Sequence, residues 1–399
     1  MSSKGIKRHS ATASSSKRGS SKGNKSGEPK EPTLHFAGRT QKNKFKALQD
    51  REVKPTKFMH ADSFQTLGVL GGVFALFQNI GWGLFLNLHA YTFETPTREF
   101  LSSFERNDNE RRVTFRLQGV PLSLAYDDMN RIMGTPTENI STPTNPNFED
   151  FDEDDFWFSI SGKESYSSSR SKATDIIHPC IRLAHRILVC TIFAHKEVGQ
   201  VGKWELYFLW CMTRAVPPIP DFASFFLQKC ISVMNEPSGQ ICIGGLITIL
   251  ATSPPLSLIY TSPPYARAEG STFLDLATLG RMNLIRPRGL GIFTWFHSPD
   301  RIPFLVLPDP RIAEFNPRIS DSWIITRTIH EREEVLANHG GDDEPMQEAH
   351  APQDFLPDFF TRFNALCLQT EQLHQRVGSI WDWHIQEGHF DYSPPNPPM

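Results

Sequence analysis

The chain reads as mainly α: a compact helical domain with a small β-hairpin, a disordered basic N-terminal tail and a separate C-terminal helix. Three observations predict this. Apolar residues recur at helical spacing, or nearly all round, through residues 176–251. The first 57 residues carry fifteen Lys and Arg against four acids, and Met1–Gly27 has too few apolar groups to offset the entropy of ordering. A polar, acidic stretch at 336–354 sets one further periodic segment apart from the body.

Each element follows in order. The tail, 1–57, holds small basic clusters at Lys7-Arg8, Lys17-Arg18 and Lys22 with Lys25, which suit phosphate contacts or nuclear import; a solubilising tail without a specific partner is the plain alternative. The body is expected over 58–335. From Ser63 to Phe93 no residue is charged, and Leu67–Leu88 could span a bilayer on length alone. Its five glycines, Gln78, Asn79 and Asn87 favour instead a buried helix with a second short one from Trp82. Arg111–Leu117 alternates as a strand, Gln118-Gly119 turns, and Val120–Leu124 returns. Ser123 is expected to cap a helix with Asp127 and Asp128 in its first turn, stopped by Gly134 and Pro136.

Residues 138–155 hold seven acids and no base and read as a flexible loop ending at Phe156-Trp157-Phe158. Pro179 suits the start of a helix reaching His195, apolar nearly all round and therefore central. Lys203–Ala215 is a second helix, Asp221 caps a third through Met234, and Ile241–Ala251 is a fourth whose glycines permit close approach. The Pro-rich stretch 253–310 is expected to pack irregularly around pieces such as Ile302–Leu307. In the segment 355–388, Phe359, Phe363, Leu366, Thr370, Leu373, Val377, Ile380 and His384 step by four and three, a seam for self-association or for docking on the body. Residues 389–399 are a Pro-rich tail.

The net charge of −3 over 399 residues conceals an asymmetry, because the basic tail, locally +11, leaves 26 bases against 40 acids in the remainder. A basic arm on an acidic body suits nucleic acid or an anionic surface. Mean hydropathy of −0.35 argues against a multi-span membrane protein. A polar, basic beginning without an apolar run and six cysteines mostly in apolar stretches favour reduced, buried thiols in an intracellular protein, cytoplasmic or nuclear.

Catalytic and metal signatures are sparse, so no catalytic residue, metal site or cofactor is assigned. There is no GxxxxGK[ST], GxGxxG, GxSxG, HExxH or CxxC. Gln240-Ile241-Cys242-Ile243-Gly244 is similar to a caspase-type nucleophile segment, with His195 upstream at a fitting offset. Burial between Ile241 and Ile243 would raise the thiol pKa, so a core cysteine is the better reading. His178, Cys180, His185 and Cys190 lack zinc-type spacing.

Five phrases in order resemble one family: FQNIGWGLFLNL ending at Leu88, TREFLSSFE (97–105), RVTFRLQGVPLSLAYDDMNRIMG (112–134), the run from Ile176 to Met212, and GQICIGGLITILA (239–251). Together they are similar to the gag-like first-reading-frame protein of Athila-type plant long-terminal-repeat retrotransposons, with plant mobile domain proteins as relations. The resemblance implies a non-enzymatic, capsid-like protein that self-associates and packages the element's RNA. The zinc knuckle of a retroviral-type nucleocapsid is missing from the sequence, as are protease and polymerase signatures. The expected partners are therefore a second copy of the chain and nucleic acid, RNA ahead of DNA, with no membrane and no small-molecule substrate. The alternative is a domesticated nuclear regulator that uses the helical domain for protein partners.

Overall fold

The computed structural model describes residues 34–143, 148, 150–195, 199–258, 265–297, 302–323 and 325. The chain divides into two units, Met1–Glu333 and Glu334–Met399, and every described residue lies in the first. Helix α1 (Arg39–Gln49) falls inside the stretch expected to be tail. It turns Gln41, Phe45 and Leu48 inward, spaced as one face of a helix requires. After it, Lys54 N–H donates to Ile241 O at 2.8 Å and Ile241 N–H to Glu52 O at 2.9 Å. The fold therefore starts well before residue 58, where the sequence reading placed it.

Strand β1 (Phe58–Met59) and helices α2 (Ala61–Thr66), α3 (Leu70–Asn79) and α4 (Glu94–Ser103) follow. The uncharged stretch is broken: α3 ends at Asn79, Gly81 turns the chain at φ +75°, and a short 3-10 helix covers Gly83–Asn87. Among the described residues no helix is long and apolar enough to cross a membrane. Helix α4 carries Arg98, whose Nε donates to Leu48 O at 3.1 Å and whose guanidinium also reaches Arg51 O at 3.0 Å. That arginine ties α1 to the body.

Strands β2 (Glu105–Asn107), β3 (Arg112–Leu117) and β4 (Val120–Ala125) form an antiparallel sheet. Its β3–β4 turn has both central residues at positive φ, Gln118 at 55° and Gly119 at 75°, as two-residue hairpins favour. Both turn amides donate to the buried Glu99 carboxylate at 2.7 Å. Burial pushes Glu99 up, against those two hydrogen bonds. Helix α5 (Tyr126–Ile132) begins after Ala125, so Ser123 lies in β4 and does not cap it. Asp127 and Asp128 do occupy its first turn.

Strand β5 (Ile140–Ser141) opens the acidic segment, which packs rather than loops freely over its described part. Asp152 accepts from the amides of Asp154 and Asp155 and caps α6 (Glu153–Ser161). Helix α7 (Pro179–Cys190) is buried along its whole length but stops at Cys190, short of the expected His195. Helix α8 (Lys203–Thr213) follows, then β6 (Ile219–Pro220), α9 (Phe222–Asn235) and α10 (Gly244–Thr252). Asp221 precedes α9 yet makes no side-chain cap. Its carboxylate instead takes Asn130 Nδ2 at 2.7 Å, the Ser224 hydroxyl and Arg111. This joins α5 to α9, because Asn130 Oδ1 also accepts from Ala223 N–H. Trp82 against Phe208 and Phe222, and Phe100 against Phe226, fill the space between these helices.

The Pro-rich region is regular where irregular packing was expected. It holds β7 (Phe273–Leu274), α11 (Leu276–Arg281) and an antiparallel sheet of β8 (Ile285–Gly289), β9 (Ile292–His297) and β10 (Ile302–Leu307), in the order β10-β9-β8. Two further sheets are single pairs, β1-β7 and β5-β6, both parallel. With 45% helix, 17% strand and, among the described residues, four small sheets, the fold is mixed α/β, which overturns the mainly α expectation. The β3–β4 hairpin lies where the sequence reading put it; the other strands escaped because they are only two to six residues long, and prolines at 287 and 303 sit inside two of them. Both lie on edge strands, β8 and β10, where a proline is tolerated.

Candidate functional site

The densest polar chemistry of the described body lies where α7 meets α8. Gly202 precedes α8, and Glu205 one turn in reaches back to accept Gly202 N–H at 2.8 Å, half of a capping box. The same carboxylate takes His185 Nε2 at 3.0 Å and His195 Nε2 at 2.7 Å. Burial pushes Glu205 up, but the two imidazole hydrogen bonds outweigh it and hold the carboxyl well below the usual carboxylate range. His185 is fully enclosed and burial lowers its pKa, so it is a neutral ring donating to the carboxylate. His195, with its side chain 43% exposed, stands at the surface end of this chain of bonds.

A carboxylate that orients an imidazole becomes catalytic when a nucleophile meets the other ring nitrogen. Among the described residues the ring neighbour of His195 is Phe193, stacked at 6.3 Å, and Cys242 belongs to another neighbourhood. The Cys242 carbonyl accepts from Thr56 Oγ1 at 2.6 Å. Burial pushes the Cys242 thiol up, against Lys229, Lys57 and Lys54, the reverse of what a thiolate nucleophile needs. Cys190 is likewise pushed up to about 11 by burial. The suspected metal set is also dispersed: His178 Nδ1 accepts Cys180 N–H at 3.1 Å as the cap of α7, whereas His185 serves Glu205. Among the described residues no group of three or more His, Cys, Asp and Glu could hold a metal.

Two buried arginines on α7 were missed by the sequence reading. Arg182 donates to Phe296 O at 2.6 Å and lies 5.0 Å over the Trp295 ring. Burial pulls its pKa down to about 9, so it stays charged at neutral pH. Arg186 sits one turn on, equally buried. Two bases in a segment of otherwise apolar spacing were the available signal. On its outer side α8 presents Trp204, Tyr207 and Trp210 to Phe148 and Phe151. Beside them a cleft of about 230 Å³ is lined by Asp150, Asp152, Asp155, Phe156, Trp210 and Arg214, among others. Arg214 stacks 5.1 Å over Trp210 and faces Asp150 at 3.6 Å, so the cleft already holds a cation of its own.

Lys7, Arg8, Lys17, Arg18, Lys22 and Lys25 lie outside the described residues. So do Phe359, Phe363, Leu366, Leu373, Val377 and Ile380, together with the linker 336–354 and the tail 389–399. What the described part defines is an α/β domain whose buried carboxylates, imidazoles and arginines bond to its own helices and turns. Residues 27–212 match the model of the ATHILA ORF-1 family. Over that stretch, a little under half of its length, the chain is similar to Athila-type retrotransposon first-open-reading-frame proteins, in agreement with the resemblance read from its motifs. The match takes in α1 and four of the five phrases; GQICIGGLITILA lies beyond it. No curated protein and no solved structure matches the chain.

Proposed function

We propose that this retrotransposon-derived, gag-like chain is non-enzymatic, and that it self-associates and holds RNA through its basic N-terminal arm. The observation that carries this is charge placement on a chain of this family: +11 over residues 1–57 against −14 over the remainder. Lys7, Arg8, Lys17, Arg18, Lys22 and Lys25 contact phosphates, releasing counterions, so binding weakens steeply with salt. The seam from Phe359 to Ile380 joins copies. The work is done inside the cell, in cytoplasm, nucleus or both.

The test is light-scattering size of the full chain with and without single-stranded RNA, at low and raised salt. RNA-driven growth into large particles, lost at high salt and on changing the six arm residues to Gln, supports the reading. A small species indifferent to RNA overturns it and leaves a protein-interaction domain. Charge neutralisation is preferable to deleting residues 1–57, which would remove α1.

A further inference from the structure

The β8–β9 hairpin concentrates positive charge on an otherwise acidic body. From Leu276 to His297 the sequence holds Arg281, Arg286 and Arg288 and no Asp or Glu. β8 is the edge strand of its sheet, and Arg286 through Gly289 are exposed. A bulge falls between Pro287 and Gly289, yet both arginines reach the same face of β9, the one that carries Thr294 and Phe296 two residues apart. Each is braced from below by the partner strand. The Arg286 guanidinium lies 5.1 Å over the Phe296 ring, and Arg288 Nε donates to Thr294 Oγ1 at 2.6 Å. Bracing of this kind fixes a guanidinium plane before a phosphate or a base arrives.

The tip adds an independent feature. The two-residue turn is Leu290-Gly291, with φ of 51° and 73°. Asn-Gly is the residue pair this geometry favours. Here a leucine takes the left-handed position and is fully exposed, at 101%. A bulky apolar residue that is both strained and solvated contributes nothing to the fold that holds it. Against the apolar face of an unstacked base it would be desolvated.

We propose that this hairpin is a second RNA contact: Arg286 and Arg288 take backbone phosphates, and Leu290 meets a base of a single strand. Its occupant is chosen by charge complementarity, and the proposal rests on the RNA-holding reading above. The arm supplies diffuse attraction, whereas the hairpin supplies a fixed register.

The experiment uses the full chain and a fluorescent 20-nucleotide oligouridine, with anisotropy titrations over a range of KCl. Arg286→Gln with Arg288→Gln should lower the log–log salt slope by about 1.4, two phosphates at about 0.7 each for a single strand. Arg286→Lys with Arg288→Lys should keep the slope, which excludes loss through misfolding. Arg112→Gln with Arg170→Gln removes two exposed charges elsewhere and should leave it unchanged. An equal fall in that control overturns the hairpin as a site. An unchanged slope in the hairpin variant, with binding lost when the six arm residues become Gln, overturns the hairpin and keeps the arm. Absence of binding by the parent chain overturns both. Unaltered RNA binding with lost binding to phosphatidylserine vesicles overturns the RNA assignment in favour of a lipid surface.

Discussion

Glu205 is a buried hub of the fold, since one carboxylate satisfies a helix start and two imidazoles. Removing one partner from a buried charged network costs about 3–5 kcal/mol. Glu205→Gln should therefore lower the urea-derived stability by about 3 kcal/mol at pH 7, and a loss under 1 kcal/mol would contradict this account. Its lowered pKa means that the contribution is present above about pH 4.3 and is lost as pH falls further. His178 acts in a higher window. Burial pulls it down to about 3, so it stays neutral in the fold and takes a proton on unfolding below about pH 6.5. The unfolded state then binds the extra proton, and stability falls with falling pH by about 1.4 kcal/mol per unit. His178→Asn retains an acceptor for the Cys180 amide and removes that proton. Urea midpoints at pH 7 and pH 5 should lie closer together in the variant; a parallel shift would refute the assignment. None of these roles was legible in the sequence. Glu205 stood as one acid in an aromatic helix, and a buried histidine and a metal-ligating one have the same letter.

Helix positions were largely legible and helix contacts were not. The apolar runs from Ile176 to Ala251 announced four buried segments because burial on all sides leaves no polar stripe. Apart from the β3–β4 hairpin, whose alternation and Gln118-Gly119 turn were legible, strands of two to six residues leave no such record, and α1 was masked by the lysines around Phe45 and Leu48. Close approach is the element-scale property that sequence hinted at through glycine. Gly71 and Gly72 sit side by side in α3 with opposite surroundings. A Cβ on Gly71 would meet nothing within 4 Å, whereas one on Gly72 would lie 2.5 Å from Cys180 Sγ and 3.0 Å from the Phe315 ring. Gly71→Ala should stabilise by about 0.5 kcal/mol through helix propensity. Gly72→Ala should destabilise by about 1–3 kcal/mol because α3 and α7 must separate. Thermal midpoints of the two variants that move in the same direction would refute the packing argument. At the hairpin tip, Leu290→Asn should raise stability by about 1 kcal/mol by relieving the left-handed leucine.

At the scale of the molecule, the recognised family segment and the physical domain have different ends. The match stops at residue 212, yet Trp82 and Phe100 pack on Phe222 and Phe226. A fragment of residues 27–212 would expose those rings, and it should show no cooperative melting by circular dichroism; a sharp transition would mean that the matched segment folds alone. The asymmetry of charge was legible from counting, whereas the true start of the body was not, because it depends on distant acceptors. Arg51 shows how distant. It donates to Val233 O at 2.5 Å and to Gly239 O at 3.0 Å, partners 182 and 188 residues further along the chain. During synthesis at about 5–20 residues per second, roughly 10–40 s pass between the appearance of this arginine and that of its carbonyls. Through that interval Arg51 lacks those acceptors, although α1 can already seat on α4 through Arg98. The chain thus leaves the ribosome with one buried cation waiting on its later half, and chaperone capture of nascent chains should fall once residue 239 has emerged.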